Sequence, residues 1–154
     1  MPPNGSARNW HDARKFGIQG IDPDRHAQHA VAYLLENDLS THFDHAKPLH
    51  VFNCFDDSGY LIFKLYPRYS LFIDGRVDPI VPSGDHLEKY LRMCADPDYF
   101  DAMAQKYDIH IVLLRTNSIY QSSMWNEIFD RNPYWQVVFY DPDENTMILL
   151  RRKF

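Results

Sequence analysis

Three short apolar runs divide the chain, and they alternate with segments whose apolar residues recur at helical spacing. The runs cover 49–55, 70–74 and 109–114, and apolar runs of this length bounded by polar residues indicate buried β-strands. We interpret 59–66 as a short helix, because the crossover between two parallel strands is usually helical. Strands that alternate with helices are typical of an α/β domain. We therefore predict a layered α/β fold with a mostly parallel sheet flanked by helices.

The C-terminal part of the chain predicts a different pairing of strands. Two strand-like segments, 135–140 and 146–151, are separated by a run of turn-forming residues at 141–145. Two strands joined by such a short polar segment are typical of an antiparallel hairpin. We expect this hairpin to form one edge of the sheet.

Four more helices are indicated by capping residues and apolar spacing. The first begins with Asp22 as N-cap and Pro23 in the first turn, and it ends near Asn37. Its predicted buried face consists of Ala27, Ala30, Val31, Leu34 and Leu35. Ser83 is the predicted cap of the second helix, the third begins at 96–98, and the fourth covers 119–130.

The length and charge of the chain limit what it can be. A chain of 154 residues fits one domain, and we divide it into a polar lead-in segment, 1–21, and a single α/β domain, 22–154. The formal net charge of −5 leaves no basic surplus for binding phosphates, so no nucleic acid partner is expected. The sequence has neither an apolar run long enough to span a membrane nor the apolar core of a signal peptide.

Polar side chains follow each predicted strand and are the candidate site. If the strands are parallel neighbours, their carboxyl ends meet at one edge of the sheet, where ligands of α/β proteins bind. The residues concerned are Asp56, Asp57, Asp74, Arg76, Asp78, Arg115, Thr116 and Asn117. The acids are suited to a divalent cation or to sugar hydroxyls, and the arginines to a phosphate. In the structural alternative, Asp74 caps a turn in which Gly75 has a positive φ and Arg76 pairs with Asp78 or Asp56.

Signs of a catalytic nucleophile or a histidine metal site are missing. The chain contains no Gly-x-Ser-x-Gly, P-loop or Gly-x-Gly-x-x-Gly motif, so the catalytic residues are unknown. His26 and His29 are expected on a solvated helix edge, and His110 as a hydrogen-bonded strand residue. Cys54 and Cys94 are predicted to be buried free thiols, and a disulfide between them stays open because sequence does not fix its geometry.

A family resemblance lies in residues 52–78. Its elements are Phe52-Asn53, Asp56, Gly59-Tyr60-Leu61-Ile62, Tyr66-Pro67, Phe72-Ile73-Asp74-Gly75-Arg76 and Asp78. This segment resembles the soluble extracytoplasmic domain of bacterial membrane glycosyltransferase-like proteins of the dolichyl-phosphate-mannose mannosyltransferase type. The resemblance extends more loosely over about 22–151. The chain departs from the pattern at Asp57 and Ser58, where the family usually has tryptophan and glycine.

The resemblance implies an accessory function. In such transferases the acidic residues that handle the sugar-phosphate donor lie in the membrane domain, so this domain would orient the acceptor or a lipid-linked sugar donor without catalysing transfer alone. The implied partner is the membrane domain of a parent protein, at the extracytoplasmic (periplasmic) face; as a separate chain, a cytoplasmic location is expected. The implied binding residues are Asp56, Gly59, Tyr60, Asp74, Gly75, Arg76 and Asp78.

Two other functions fit the same residues. The acidic strand ends would suit a stand-alone metal-dependent hydrolase acting on phosphoesters, and the domain would equally suit a non-catalytic protein-interaction role. No cofactor is required by the accessory function, and a divalent cation is an additional option at the acids.

Overall fold

A computed structural model of the chain describes residues 26–43, 48–73 and 85–152. The described helices are α1 (Gln28–Glu36), α2 (Ser40–Phe43), α3 (Ser58–Leu65), α4 (Asp85–Ala95) and α5 (Pro97–Lys106). The described strands are β1 (Leu49–Phe52), β2 (Tyr69–Leu71), β3 (Ile111–Arg115), β4 (Trp135–Asp141) and β5 (Thr146–Arg151). A 3₁₀ turn covers Phe55–Asp57, and a π-helical turn covers Trp125–Phe129. The predicted lead-in segment, 1–21, lies outside the described residues.

The described strands form one five-stranded mixed sheet in the order β2-β1-β3-β5-β4. Strand β1 is parallel to both β2 and β3, whereas β5 is antiparallel to β3 and to β4. The α/β class and the C-terminal hairpin are confirmed. The mostly parallel sheet is wrong, because the two antiparallel ladders are the longer ones.

The position of β5 explains why the sheet is not mostly parallel. Its residues from Thr146 to Leu150 are all buried, whereas β4 exposes several of its side chains. A strand that is apolar on both faces is most stable in the interior of a sheet, and a half-polar strand is tolerated at the edge. The hairpin therefore joins the sheet through β5, which brings a full antiparallel ladder against β3.

Side chains on the two faces of the sheet enter two separate apolar clusters. Ile111 and Leu113 pack with residues of α1 and α3, and Val112 and Leu114 pack with residues of α4, α5 and the π-helical turn. Successive strand residues point to opposite faces, so both faces of β3 are covered. This double burial is why β3 is a continuous apolar run.

Most of the predicted helices are present, with corrections. The helix predicted at 59–66 is confirmed as α3, and α1 ends before Asn37 as expected. Its predicted start at Asp22 lies outside the described residues. Leu35, predicted to be buried, is wrong, because 42% of its surface is exposed on the solvent side of α1.

The third predicted helix is confirmed as α5. Asp96 is its N-cap, and the Asp96 carboxylate accepts a hydrogen bond of 3.0 Å from the Tyr99 N–H. The helix predicted over 119–130 is wrong apart from the π-helical turn. Gln121 is fully buried there and its side chain accepts from the Arg115 N–H, a bond that holds the preceding residues in turns instead of a helix.

Both strands that precede the site are shorter than predicted. Strand β1 ends at Phe52, and β2 ends at Leu71. Beyond them, the Asn53 side chain donates to Ile73 O at 2.8 Å and accepts from Ile73 N at 3.1 Å. The amide therefore takes the place of strand pairing and fixes the end of β2 beside β1.

Among the described residues, no helix is long and apolar enough to cross a membrane.

Candidate functional site

A buried ion pair links the carboxyl ends of β1 and β3. Arg115 Nη1 donates to Asp57 Oδ2 at 2.7 Å, and the two residues are only 5% and 1% exposed. Asp57 belongs to the 3₁₀ turn that follows β1, and Arg115 is the last residue of β3. The parallel pairing of β1 with β3 places these ends side by side, and the predicted proximity of Asp57 and Arg115 is confirmed.

His26 and Tyr60 cover this ion pair from the side of α1 and α3. His26 Nδ1 lies 3.3 Å from Asp57 Oδ1, and the His26 ring stacks on Tyr60 with 4.7 Å between ring centroids. Burial raises the pKa of the Asp57 carboxyl, although Arg115 and His26 both oppose that effect. Burial also raises the pKa of the Tyr60 hydroxyl, which keeps that group protonated as a hydrogen-bond donor.

Asp56 is the accessible acid of the site. In contrast to its buried neighbour Asp57, Asp56 is exposed. Its Oδ2 atom accepts from Ser118 Oγ at 3.5 Å and from Cys54 Sγ at 3.8 Å. These weak contacts orient the carboxylate and leave it able to accept further hydrogen bonds from a ligand.

We define the acidic rim as Asp56, Asp57, Tyr60, Arg115 and Ser118. Of the residues predicted to bind ligand, the structure places Asp56 and Tyr60 on this rim. Asp74, Gly75, Arg76 and Asp78 lie outside the described residues.

Gly59 adjoins the rim in the first turn of α3 and is exposed. A Cβ atom added there would meet no heavy atom within 4 Å. Packing within the protein therefore does not require a glycine at this position. A ligand that approaches the backbone closely would require one.

Ser118 and His26 were not predicted as site residues. Ser118 follows the Arg115-Thr116-Asn117 strand end, so extending that candidate segment by one residue would have included it. His26 had been assigned to a solvated helix edge, and its contact with Asp57 joins residues 31 positions apart. No local pattern in the sequence reports such a contact.

Both cysteines are poor nucleophiles. Cys54 and Cys94 are free and buried, which confirms the predicted thiols. Burial raises the pKa of Cys54, and it raises the pKa of Cys94 to about 12. Because the thiolate is the reactive form, neither residue is activated for covalent catalysis.

The burial of these thiols predicts their reactivity. At pH 8 in native buffer, Ellman's reagent should modify neither cysteine rapidly, and in 6–8 M urea it should titrate both at once. Absorbance at 412 nm measures the count in each state. A thiol that reacts immediately in the native protein would show that Cys54 or Cys94 is accessible, contrary to the structure.

The described part of the site thus offers hydrogen-bond acceptors, an internally neutralised ion pair and no activated nucleophile. Comparisons of the chain with protein-family models, curated proteins and solved structures found no match. Any assignment of function therefore depends on the geometry of the rim and on the resemblance in the sequence.

Proposed function

We propose that this domain is a non-catalytic accessory domain that binds sugar hydroxyls at the acidic rim and orients an acceptor or a lipid-linked sugar for a membrane glycosyltransferase. The observation that supports binding is the exposed Asp56 carboxylate beside the Ser118 hydroxyl. The same site argues against catalysis, because Asp57 is already paired with Arg115. A carboxylate held in a buried ion pair is not free to act as a general base.

The charge of the rim favours a neutral, hydroxyl-rich ligand. Sugar hydroxyls donate hydrogen bonds, and a carboxylate such as Asp56 accepts them strongly. The half-buried Tyr60 ring stacks on His26, which contacts Asp57, and supplies an apolar surface with a hydroxyl donor at the rim. A phosphate would be repelled by Asp56 unless a positive charge neutralised it. Arg76 is the residue predicted from the sequence to bind a phosphate.

The identity of the larger assembly comes from the resemblance. Residues 52–78, which include Phe72-Ile73-Asp74-Gly75-Arg76, resemble the extracytoplasmic domains of membrane glycosyltransferase-like proteins. In that setting the partner is the membrane domain of a parent protein, and the domain acts at the extracytoplasmic face. Asp74, Gly75, Arg76 and Asp78 would extend the binding surface beyond Asp56 and Tyr60.

Substitution of the accessible acid tests the proposal. Isothermal titration of the protein with methyl α-mannopyranoside should give saturable, weak binding, and Asp56→Asn should weaken it about tenfold, the cost of losing a hydrogen bond to a charged group. Glu88→Gln is a matched control, because Glu88 is an exposed acid on α4, and its binding should equal that of the wild type. Equal binding by the wild type and Asp56→Asn would contradict a sugar site at Asp56.

The space around Gly59 provides a second variant. Gly59→Ala should stabilise α3 by about 0.5–1 kcal/mol, because alanine favours a helix and the added methyl meets open space. If the ligand packs against this backbone, the same variant should bind more weakly although it is more stable.

Divalent-cation-dependent turnover of 4-nitrophenyl phosphate by the wild type would overturn the non-catalytic assignment.

A further inference from the structure

A second group of polar side chains joins the first turn of α1 to the β4–β5 turn. It consists of His29, Asp141 and Glu144, whose ligand atoms all lie within 4.8 Å of one another. His29 Nδ1 is hydrogen-bonded to Asp141 Oδ2. His29 lies 112 positions before Asp141 in the chain, so the fold brings the histidine to the two acids.

Backbone and side-chain donors fix both carboxylates. Glu144 accepts from the His29 N–H at 2.9 and 3.0 Å and from the Ala30 N–H at 3.3 Å. Thr146 Oγ1 donates to the same carboxylate at 3.2 Å. Asp141 Oδ1 accepts from the Asp143 N–H at 2.9 Å, which leaves Oδ2 facing the imidazole. Metal ligands in proteins are oriented by outer hydrogen bonds of this kind.

The charges around the group leave a negative excess. Asp141, Asp143 and Glu144 lie within four consecutive positions where β4 turns into β5, and two of these acids contact His29 directly. In the described part of the chain, His29 is the only basic side chain recorded as a partner of Asp141 or Glu144. The N-terminal dipole of α1 offsets part of this negative charge. It is equivalent to only about half a positive charge, so it cannot neutralise three carboxylates.

The donor set also selects the kind of cation. One imidazole nitrogen and two carboxylate groups suit a borderline transition metal better than Ca²⁺ or Mg²⁺, which prefer oxygen ligands alone. Three protein ligands with solvent on the remaining side are sufficient for Zn²⁺, which takes water in its fourth position. His29 is exposed, so an ion can reach the group without opening the fold.

We propose that His29, Asp141 and Glu144 form a binding site for a divalent transition metal, with Zn²⁺ as the best fit. The ion replaces the hydrogen bond between His29 and Asp141 and links α1 to the β4–β5 hairpin. This site differs from the acidic rim in its ligands, and it does not depend on the sugar-binding proposal.

Thermal unfolding with Zn²⁺ tests the site, using the full chain without an affinity tag. At a Zn²⁺ concentration about a hundredfold above the dissociation constant, the Tm should rise by about 5–10 °C. His29→Ala should lower the Zn²⁺ affinity, measured by isothermal titration, by at least about tenfold. Glu144→Gln should do the same while its amide oxygen keeps capping α1, so that far-UV circular dichroism of the metal-free variant is unchanged.

His42→Ala is the matched control, because His42 is an exposed histidine on α2 whose recorded contact is with the neighbouring Phe43 ring. Its Zn²⁺ affinity should equal that of the wild type. The proposal is wrong if Zn²⁺ does not raise the Tm. It is also wrong if the rise persists in both His29→Ala and Glu144→Gln, since the ion would then bind elsewhere.

Discussion

Arg115→Met is expected to lower the free energy of unfolding by about 3–5 kcal/mol, the usual cost of breaking a buried ion pair. The variant leaves the Asp57 carboxylate 1% exposed without the guanidinium that lies 2.7 Å away in the wild type. His26, at 3.3 Å, compensates for only part of that loss. Urea denaturation followed by circular dichroism measures the change.

The double variant Asp57→Leu/Arg115→Met separates the cost of an unpaired charge from the net value of the pair. Removing both charges should recover most of the stability that Arg115→Met loses, because well-packed apolar residues replace buried pairs at little cost. Lys89→Met is the control, since Lys89 pairs with Asp85 at 2.9 Å on the surface and should cost less than about 1 kcal/mol. An equally small effect of Arg115→Met would contradict the burial of the Asp57–Arg115 pair.

Phe52→Ala is the second substitution with a large expected effect, again about 3–5 kcal/mol. Phe52 is fully buried at the end of β1, and its ring centroid lies 5.3 Å from those of Tyr90 and Phe100 and 5.4 Å from that of Phe72. Alanine would leave a cavity between the sheet and α4 and α5, directly below the residues that lead to the acidic rim. Urea denaturation again gives the change in unfolding free energy.

Phe63→Ala is the control for this cavity, because it removes the same ring from a position that is 78% exposed. A surface change of this kind should alter the stability by no more than about 0.5 kcal/mol. Similar effects of the two substitutions would mean that Phe52 is not in the core as the structure has it.

The sequence predicts those elements of the fold that depend on neighbouring residues. The apolar run of β3, the capping of α5 by Asp96 and the β4–β5 hairpin each follow from local patterns and are present. The insertion of β5 beside β3 could not be read in the same way. Strand order depends on which faces of β5 become buried by contacts with distant helices.

The candidate site divides in the same way. The sequence predicts that Asp56 and Asp57 follow a strand. It does not predict that Asp57 points inward to Arg115 while Asp56 stays exposed. Their different environments follow from the 3₁₀ turn, which rotates adjacent side chains to different sides. The contact of His29 with Asp141 also could not be predicted from local sequence patterns, because it joins α1 to the β4–β5 turn, 112 positions later in the chain.

The location of bound sugar tests the central proposal most directly. In a ¹H–¹⁵N correlation spectrum of the full chain, titration with methyl α-mannopyranoside should shift the amides of Asp56, Tyr60 and Ser118 in a saturable manner. Asp56→Asn should reduce those shifts strongly at the same sugar concentration. Shifts that cluster away from these residues, or that are unchanged in Asp56→Asn, would contradict a sugar-binding function of the acidic rim.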